Sequence, residues 1–215
     1  MPDLTQRLAR CYTGAVYDVL REMGRRDCVL PASIRAIDAD TTLAGPIFTV
    51  QGRPDSTAPA DETLLRWTEL LSDAPPGHVV VCQPQSDTLA LMGELSAETL
   101  KVRGVLGYVV DGGTRDNAFM RKIGFPVFAR FQTPRDIVGA WIPEALGDPI
   151  VIGDVKIQTG DYLLADIDGI VVIPKAMARE VVEKVETVMS TENLVRKAIL
   201  DGMAPKEAYL KYGAF

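Results

Sequence analysis

Apolar positions recur along the chain with two alternating periods. From Thr5 to Gly24 they fall at Leu8, Cys11, Tyr12, Ala15, Val19 and Met23, which predicts one helix closed by Gly24. TLAGPIFTVQG (42–52) predicts a strand with a proline irregularity, and DETLLRWTELLSDAPPG (61–77) a helix stopped by two prolines. HVVVCQ (78–83) and TLALMG (88–93) read as short strands, and GELSAETLKVRG (93–104) as a helix opened by Gly93. GVLGYVV (104–110) is a strand, TRDNAFMRKIG (114–124) the helix after it, and PVFARF (126–131) and DIVGAWI (136–142) are further strands.

The pattern then changes. Residues 148–174 hold short β-rich runs broken by Gly-Asp turns, with DIDG (166–169) as a hairpin turn rather than a calcium loop. From Pro174 the chain is helical, with Met177, Val181, Val185, Val188, Val195 and Ile199 as an apolar stripe and Gly202 as breaker. APKEAYLKYGAF then forms a short terminal helix and tail. Alternating elements followed by hairpins predict an α/β protein other than a simple doubly wound sheet.

At 215 residues the chain is expected to form one domain (1–215) with 174–215 as a helical arm. Cys11, Cys28 and Cys82 are odd in number and irregularly spaced, so they read as small buried apolar residues rather than a disulfide frame. The first residues carry no apolar leader and no run approaches a membrane span, so a cytoplasmic protein is expected. A net charge of −6 without a Lys/Arg cluster argues against nucleic acid. An anionic ligand would therefore need its positive charge supplied locally.

Several chemistries have no support. His78 is the only histidine, so there is no Ser-His-Asp triad and no multi-histidine zinc site. Dinucleotide and P-loop glycine patterns are absent. Lys101, the nearest Schiff-base candidate, lies on a helix three residues after Glu98 and reads as a solvated charge.

What remains is VVDGGTRD (109–116). Gly112 and Gly113 are expected to turn sharply and expose backbone N–H groups at a helix start, an anion site. Arg115 offers a planar fork matching a carboxylate, and Asp116 an oxygen ligand suited to Mg²⁺ or Mn²⁺. Upstream, Glu94 stands in the first turn of a second glycine-opened helix, where an acid also simply favours the helix start. A structural ion pair would explain Arg115 and Asp116 equally well, and residue chemistry alone leaves both readings standing.

GELSAETLKVRGVLGYVVDGGTRD followed by GFPVFARFQTPRDIVG resembles the RraA-like family, which includes the 4-hydroxy-4-methyl-2-oxoglutarate / 4-carboxy-4-hydroxy-2-oxoadipate aldolases. The resemblance is densest from Pro76 to Pro143, continues through GDYLLADIDGIVVIP and is weak before residue 40. The aldolase branch is similar in placing an acid, twenty residues, then Arg-Asp, and 20 residues separate Glu94 from Arg115 here.

The resemblance implies an αββα sandwich related to swivelling domains, assembled as trimers or hexamers with sites at subunit interfaces. It implies that Asp116 holds a divalent metal largely through waters that Glu94 helps order. Arg115 and the backbone at Gly93, Glu94, Leu95 and Ser96 would bind the pyruvyl carboxylate. The implied activity is a class II pyruvate aldolase that cleaves a 4-hydroxy-2-oxo acid to pyruvate plus a keto acid, with oxaloacetate decarboxylation as a side reaction. Three rivals accompany it: a regulator that binds and inhibits an RNA-degrading endonuclease, a methyltransferase, and a same-fold lyase acting on a sugar-acid derivative. The regulators are similar but look to lack the upstream acid, and no adenosyl-cofactor loop follows the first strand. Glu192 and Arg196 are candidate pocket residues from a neighbouring subunit, against a plain reading as a solvated helix face.

Overall fold

The computed structural model describes residues 3–213. The N-terminal apolar stripe is two helices rather than one, α1 (Leu4–Leu8) and α2 (Thr13–Glu22). The break has a physical cause at Thr13, whose N–H and hydroxyl donate to Asp166 at 2.8 and 2.7 Å. These bonds satisfy a helix-start donor from a distant hairpin. Asp166 is thus a cap for α2 as well as the first residue of the DIDG turn.

Three cores define four layers. A two-residue β1 (Arg35–Ala36) and a long β2 (Leu43–Pro54) precede α3 (Ala60–Asp73), β3 (Val79–Gln83) and α4 (Glu94–Val102). Next come β4 (Gly107–Thr114), α5 (Asn117–Ile123) and β5 (Val127–Gln132). Strands β2 to β5 run parallel in sequence order, as crossover helices require, and β1 adds antiparallel to β5. After β6 (Trp141–Leu146), the chain forms a β7–β8 hairpin (Ile150–Ile152, Val155–Ile157). It then makes β9 (Tyr162–Ala165), β10 (Ile170–Ile173), α6 (Ala178–Leu200) and α7 (Pro205–Tyr212).

Strand β2 is long enough to serve two partners on one edge. Leu43–Pro46 pair with β9, and Val50–Pro54 pair with β6. This lets the sheet curl over itself. One core lies between the outer face of β2–β5 and helices α3–α5, with Trp67, Leu100, Tyr108, Met120 and Trp141. A second fills the space between the opposite face and the β7–β10 strands, with Ile47, Val81, Phe128, Ile157 and Leu163. A third joins β9–β10 to α1, α2 and α6 through Leu164, Val171, Ile173, Val181 and Val185. Helices, strands, strands, helices: the αββα sandwich expected by resemblance is the fold, with α6 and α7 as its helical C-terminal extension.

TLALMG, expected as a strand, contributes only an isolated bridge, Ala90 to Gly113. DIVGAWI begins its strand only at Trp141, because Ile137–Ala140 close a turn in which the Ala140 and Trp141 amides donate to Ile137. The three cysteines are free and buried. Among the described residues no helix is long and apolar enough to cross a membrane.

Candidate functional site

The parallel strands end on the same side of the sheet, and connections leaving their C-terminal ends border an open crevice. One such connection carries Gly93 into α4 after β3; another carries Arg115 and Asp116 into α5 after β4. Between them lies a cavity of about 420 Å³. Gly93, Glu94, Leu95, Ser96, Arg115 and Asp116 all line it, so residues 22 positions apart in sequence share one wall.

Gly112 and Gly113 do not make the expected turn. Both belong to β4, and a bulge between Val110 and Gly113 shifts the register against β5. They are glycines because of crowding. A Cβ on Gly112 would lie 2.8 Å from Pro84 Cγ, and one on Gly113 would lie 2.5 Å from Phe131 Cε2. The Gly113 amide is spent on the Leu89 carbonyl and the Arg115 amide on that of Met92, at 3.1 and 2.9 Å. The open backbone donors therefore lie elsewhere, in the first turn of α4. There Leu95 and Ser96 have no intrahelical acceptor for their N–H groups. Those amides and the positive end of the helix are groups that could receive an anion.

Arg115 is aimed by carboxylates on two sides. Its Nη1 donates to Asp136 Oδ2 at 3.0 Å, and its Nε lies 3.6 Å from Asp116 Oδ2. Asp136 in turn accepts the Val138 N–H at 3.2 Å. The side chain is about 40% exposed, and its guanidinium keeps donors for a ligand. Asp116 sits at φ 57°, ψ 30°, a left-handed conformation uncommon for a residue with a side chain. Strain of this kind is held where the surroundings over-determine it. Its Oδ2 accepts the Glu94 N–H at 3.3 Å, tying the two connections together. Gly93 makes the approach possible, since a Cβ there would stand 2.7 Å from the same oxygen.

Asp136 was not singled out from the sequence, although it lies in the quoted QTPRDIVG. The available signal was its place just after β5, at the same sheet edge as the other candidates. The apolar side of the cavity, which includes Leu64, Trp67, Leu71, Ile137 and Val138, was equally hidden. The Trp67 indole is turned by a 2.9 Å bond to Ser96 Oγ and stacks edge-on against Trp141 at 6.0 Å.

The other candidates fall outside the cavity. Lys101 is exposed, as a solvated helix charge would be, and its ammonium also donates to the Ile123 carbonyl at the end of α5. His78 bonds the Pro76 carbonyl at 3.0 Å in a turn. Glu192 accepts from the Tyr12 hydroxyl, and burial first, then that carboxylate, raises the Tyr12 pKa to about 12. Arg196 bonds its helix neighbour Asn193 at 2.6 Å.

The donor set suits a particular kind of ion. Among the described residues no three His, Cys, Asp or Glu side chains cluster to form a protein cage. Three carboxylates, Glu94, Asp116 and Asp136, border the cavity with one guanidinium, Arg115, a net of −2. Oxygen donors in small number fit a hard divalent cation that keeps most of its water. An arrangement of this kind can hold a carboxylate on Arg115 and the α4 amides, with a cation beside it at Asp116.

The family model described as RraA-like: Aldolase/RraA matches residues 13–172. A Halalkalibacterium halodurans protein named "Putative 4-hydroxy-4-methyl-2-oxoglutarate aldolase" is 31% identical over 186 residues, covering 85% of this chain and 83% of that one. The crystal structure of an uncharacterized protein from Pseudomonas syringae pv. tomato superposes with a TM-score of 0.88 at 27% identity, over 97% of this chain and 93% of that one. RraAS2 of Streptomyces coelicolor, described as an unusual member of the RNase ES inhibitor RraA protein family, gives 0.79 at 29% identity, over 92% and 99%. On the family match over most of its length and on its fold, this chain belongs to the RraA-like family.

Proposed function

We propose that this protein is a divalent-metal-dependent pyruvate aldolase that splits a 4-hydroxy-2-oxo acid into pyruvate and a second carbonyl compound. One observation carries the reading: the first turn of α4 and the Arg115–Asp116 pair converge on one cavity. In this reading Arg115 and the Leu95 and Ser96 amides hold the substrate carboxylate, and Asp116, with Glu94 nearby, holds Mg²⁺ or Mn²⁺ through water. When bound, the ion supplies a Lewis acid for the 2-oxo group.

The chain's own groups account for the remaining requirements. Cleavage takes a proton from the 4-hydroxyl, turns C4 into a carbonyl, breaks C3–C4 and leaves the electron pair on C3 as the pyruvate enolate. In this reading the Glu94 carboxylate, which borders the cavity, accepts that proton through a water, and the acid formed returns it to C3. Arg115 keeps its positive charge beside the enolate as it develops. Oxaloacetate would lose CO₂ from C3 to give the same enolate, so decarboxylation is part of the proposal.

The similarity to RraAS2 supports a competing role as a regulator that binds an endonuclease. The left-handed Asp116 and the charges gathered around one cavity favour chemistry, since a docking face needs neither. A pyruvate-release assay over a panel of 4-hydroxy-2-oxo acids tests this: activity should vanish with EDTA and return with Mg²⁺ or Mn²⁺. Trapping of a pyruvate adduct by borohydride would show a lysine mechanism and overturn it. Assembly into a trimer or hexamer belongs to the same proposal, supported by Leu200 and Leu210 standing exposed on the C-terminal helices.

A further inference from the structure

Five hydroxyl side chains stand on α3 and α4, and four of them are used within their own helix. Thr63, Thr68, Ser72 and Thr99 each donate to a carbonyl three or four residues back, at 2.7–2.8 Å. This is a common use of a helical Ser or Thr. Ser96 departs from it. Its hydroxyl accepts the Trp67 indole N–H at 2.9 Å. An indole N–H can only donate, so this bond occupies a lone pair of Ser96 Oγ and leaves the hydroxyl proton to be given elsewhere.

Trp67 is held from behind. It is buried and packs edge-on against the fully buried Trp141 at 6.0 Å. Trp141 gives its own indole N–H to the Pro84 carbonyl at 2.9 Å. Gly52 makes room for that ring, since a Cβ there would overlap it. The two tryptophans thus brace both ends of the connection between β3 and α4, Pro84 where it begins and Ser96 just past its end.

The direction of the freed donor follows from the helix. Ser96 is in the first turn of α4 and lines the cavity. Side chains of an α-helix lean toward its N-terminus. The unused N–H groups of Leu95 and Ser96 point to the same end. An anion resting on the Ser96 N–H therefore lies beside the hydroxyl of the same residue.

We infer that the Ser96 hydroxyl is a ligand-directed donor, given to the same carboxylate as the α4 amides, and that Trp67 is the positioning residue that turns it there. The inference rests on the aldolase reading for the identity of the anion, a 2-oxo acid carboxylate, and adds a side-chain donor to that reading's backbone contact.

The test is calorimetry of the full-length protein with MgCl₂, titrated with pyruvate, beside steady-state pyruvate release from 4-hydroxy-4-methyl-2-oxoglutarate and a thermal melt. Ser96→Ala should weaken pyruvate binding about tenfold, since the lost bond has a charged acceptor. KM should rise by a similar factor with kcat changed less, because the carboxylate is held before and during the reaction. Ser96→Thr keeps a hydroxyl and should recover most of that loss. Trp67→Phe keeps a ring, drops the N–H and should weaken pyruvate less than Ser96→Ala does. The double variant should bind no more weakly than Ser96→Ala alone, because Trp67 acts through the hydroxyl. Wild-type affinity in Ser96→Ala, with both single variants merely melting earlier, overturns the inference and makes the hydroxyl only an acceptor for Trp67. Losses that add in the double variant overturn the positioning role. Both results leave the aldolase standing where the wild type binds pyruvate and releases it from the hydroxy acid; a wild type that does neither overturns both.

Discussion

Replacing Gly93 by alanine separates the position of the Asp116 carboxylate from the stability of the fold. The backbone at Gly93 is extended, φ −145° and ψ −174°, a conformation alanine adopts without strain. The added methyl carbon would, however, begin 2.7 Å from Asp116 Oδ2, 3.3 Å from Arg115 Cγ and 3.4 Å from Arg115 Nε. Ordinary contact begins near 3.4 Å, so the carboxylate must retreat by about 0.7 Å, and Arg115 with it. Two smaller terms oppose each other. Alanine is poorer than glycine as a helix-start residue by about 0.5–1 kcal/mol. It gains about 0.4–1 kcal/mol by restricting the unfolded chain. Net stability should therefore stay within about 1 kcal/mol, a shift of roughly 2–4 °C in Tm for a chain of this size. Misplacing reacting groups by most of an ångström should cost about tenfold to hundredfold in kcat/KM. Steady-state pyruvate release beside a thermal melt reads both quantities. Full activity with normal melting would show that the carboxylate's position is not used, and the placement of the site would be wrong. Collapse of the fold would show that Gly93 is needed for the scaffold and not for the site.

Three further substitutions divide the roles. Arg115→Lys keeps the charge but loses the planar fork and should lower kcat/KM about tenfold to hundredfold, equivalent to about 1.5–3 kcal/mol. Asp116→Asn should instead be partly rescued by excess Mg²⁺, and earlier melting of both with full activity would make the pair a structural salt bridge. Asp136→Asn frees Arg115 Nη1 from its 3.0 Å carboxylate and should raise KM more than it lowers kcat, since a positioning partner is lost; an unchanged KM would contradict this. Asp166→Ala removes both bonds to Thr13 and should cost about 1–2 kcal/mol in denaturant melts without changing kcat, whereas an unaltered midpoint would refute its capping role.

Local signals marked the two loops that border the candidate cavity, and long-range packing decided how their residues are arranged. Gly93 ahead of ELSAE and the Arg-Asp pair ahead of a helix were legible because helix starts are written in adjacent residues. The reason for Gly112 and Gly113 was not, because it lies in Pro84 and Phe131, on other segments. The same distance hid Asp136, whose use depends on β5 ending beside β4. It also hid the break between α1 and α2, which Asp166 fixes from across the molecule. Lys101 reads as a solvated charge and is exposed, but its sequence neighbours do not show the Ile123 carbonyl that accepts its hydrogen bond. The hairpins from Ile150 to Ile173 were legible, since turn residues and alternation are both local.

The claim that one cavity holds a cation and a 2-oxo acid side by side is tested most directly by diffraction from crystals grown with MnCl₂ and pyruvate, with anomalous data for the manganese. A manganese peak is expected beside Asp116, largely water-coordinated, with the pyruvate carboxylate on Arg115 and the Leu95 and Ser96 amides. Manganese bound elsewhere, with Arg115 still held between Asp116 and Asp136 and no pyruvate in the cavity, would contradict it.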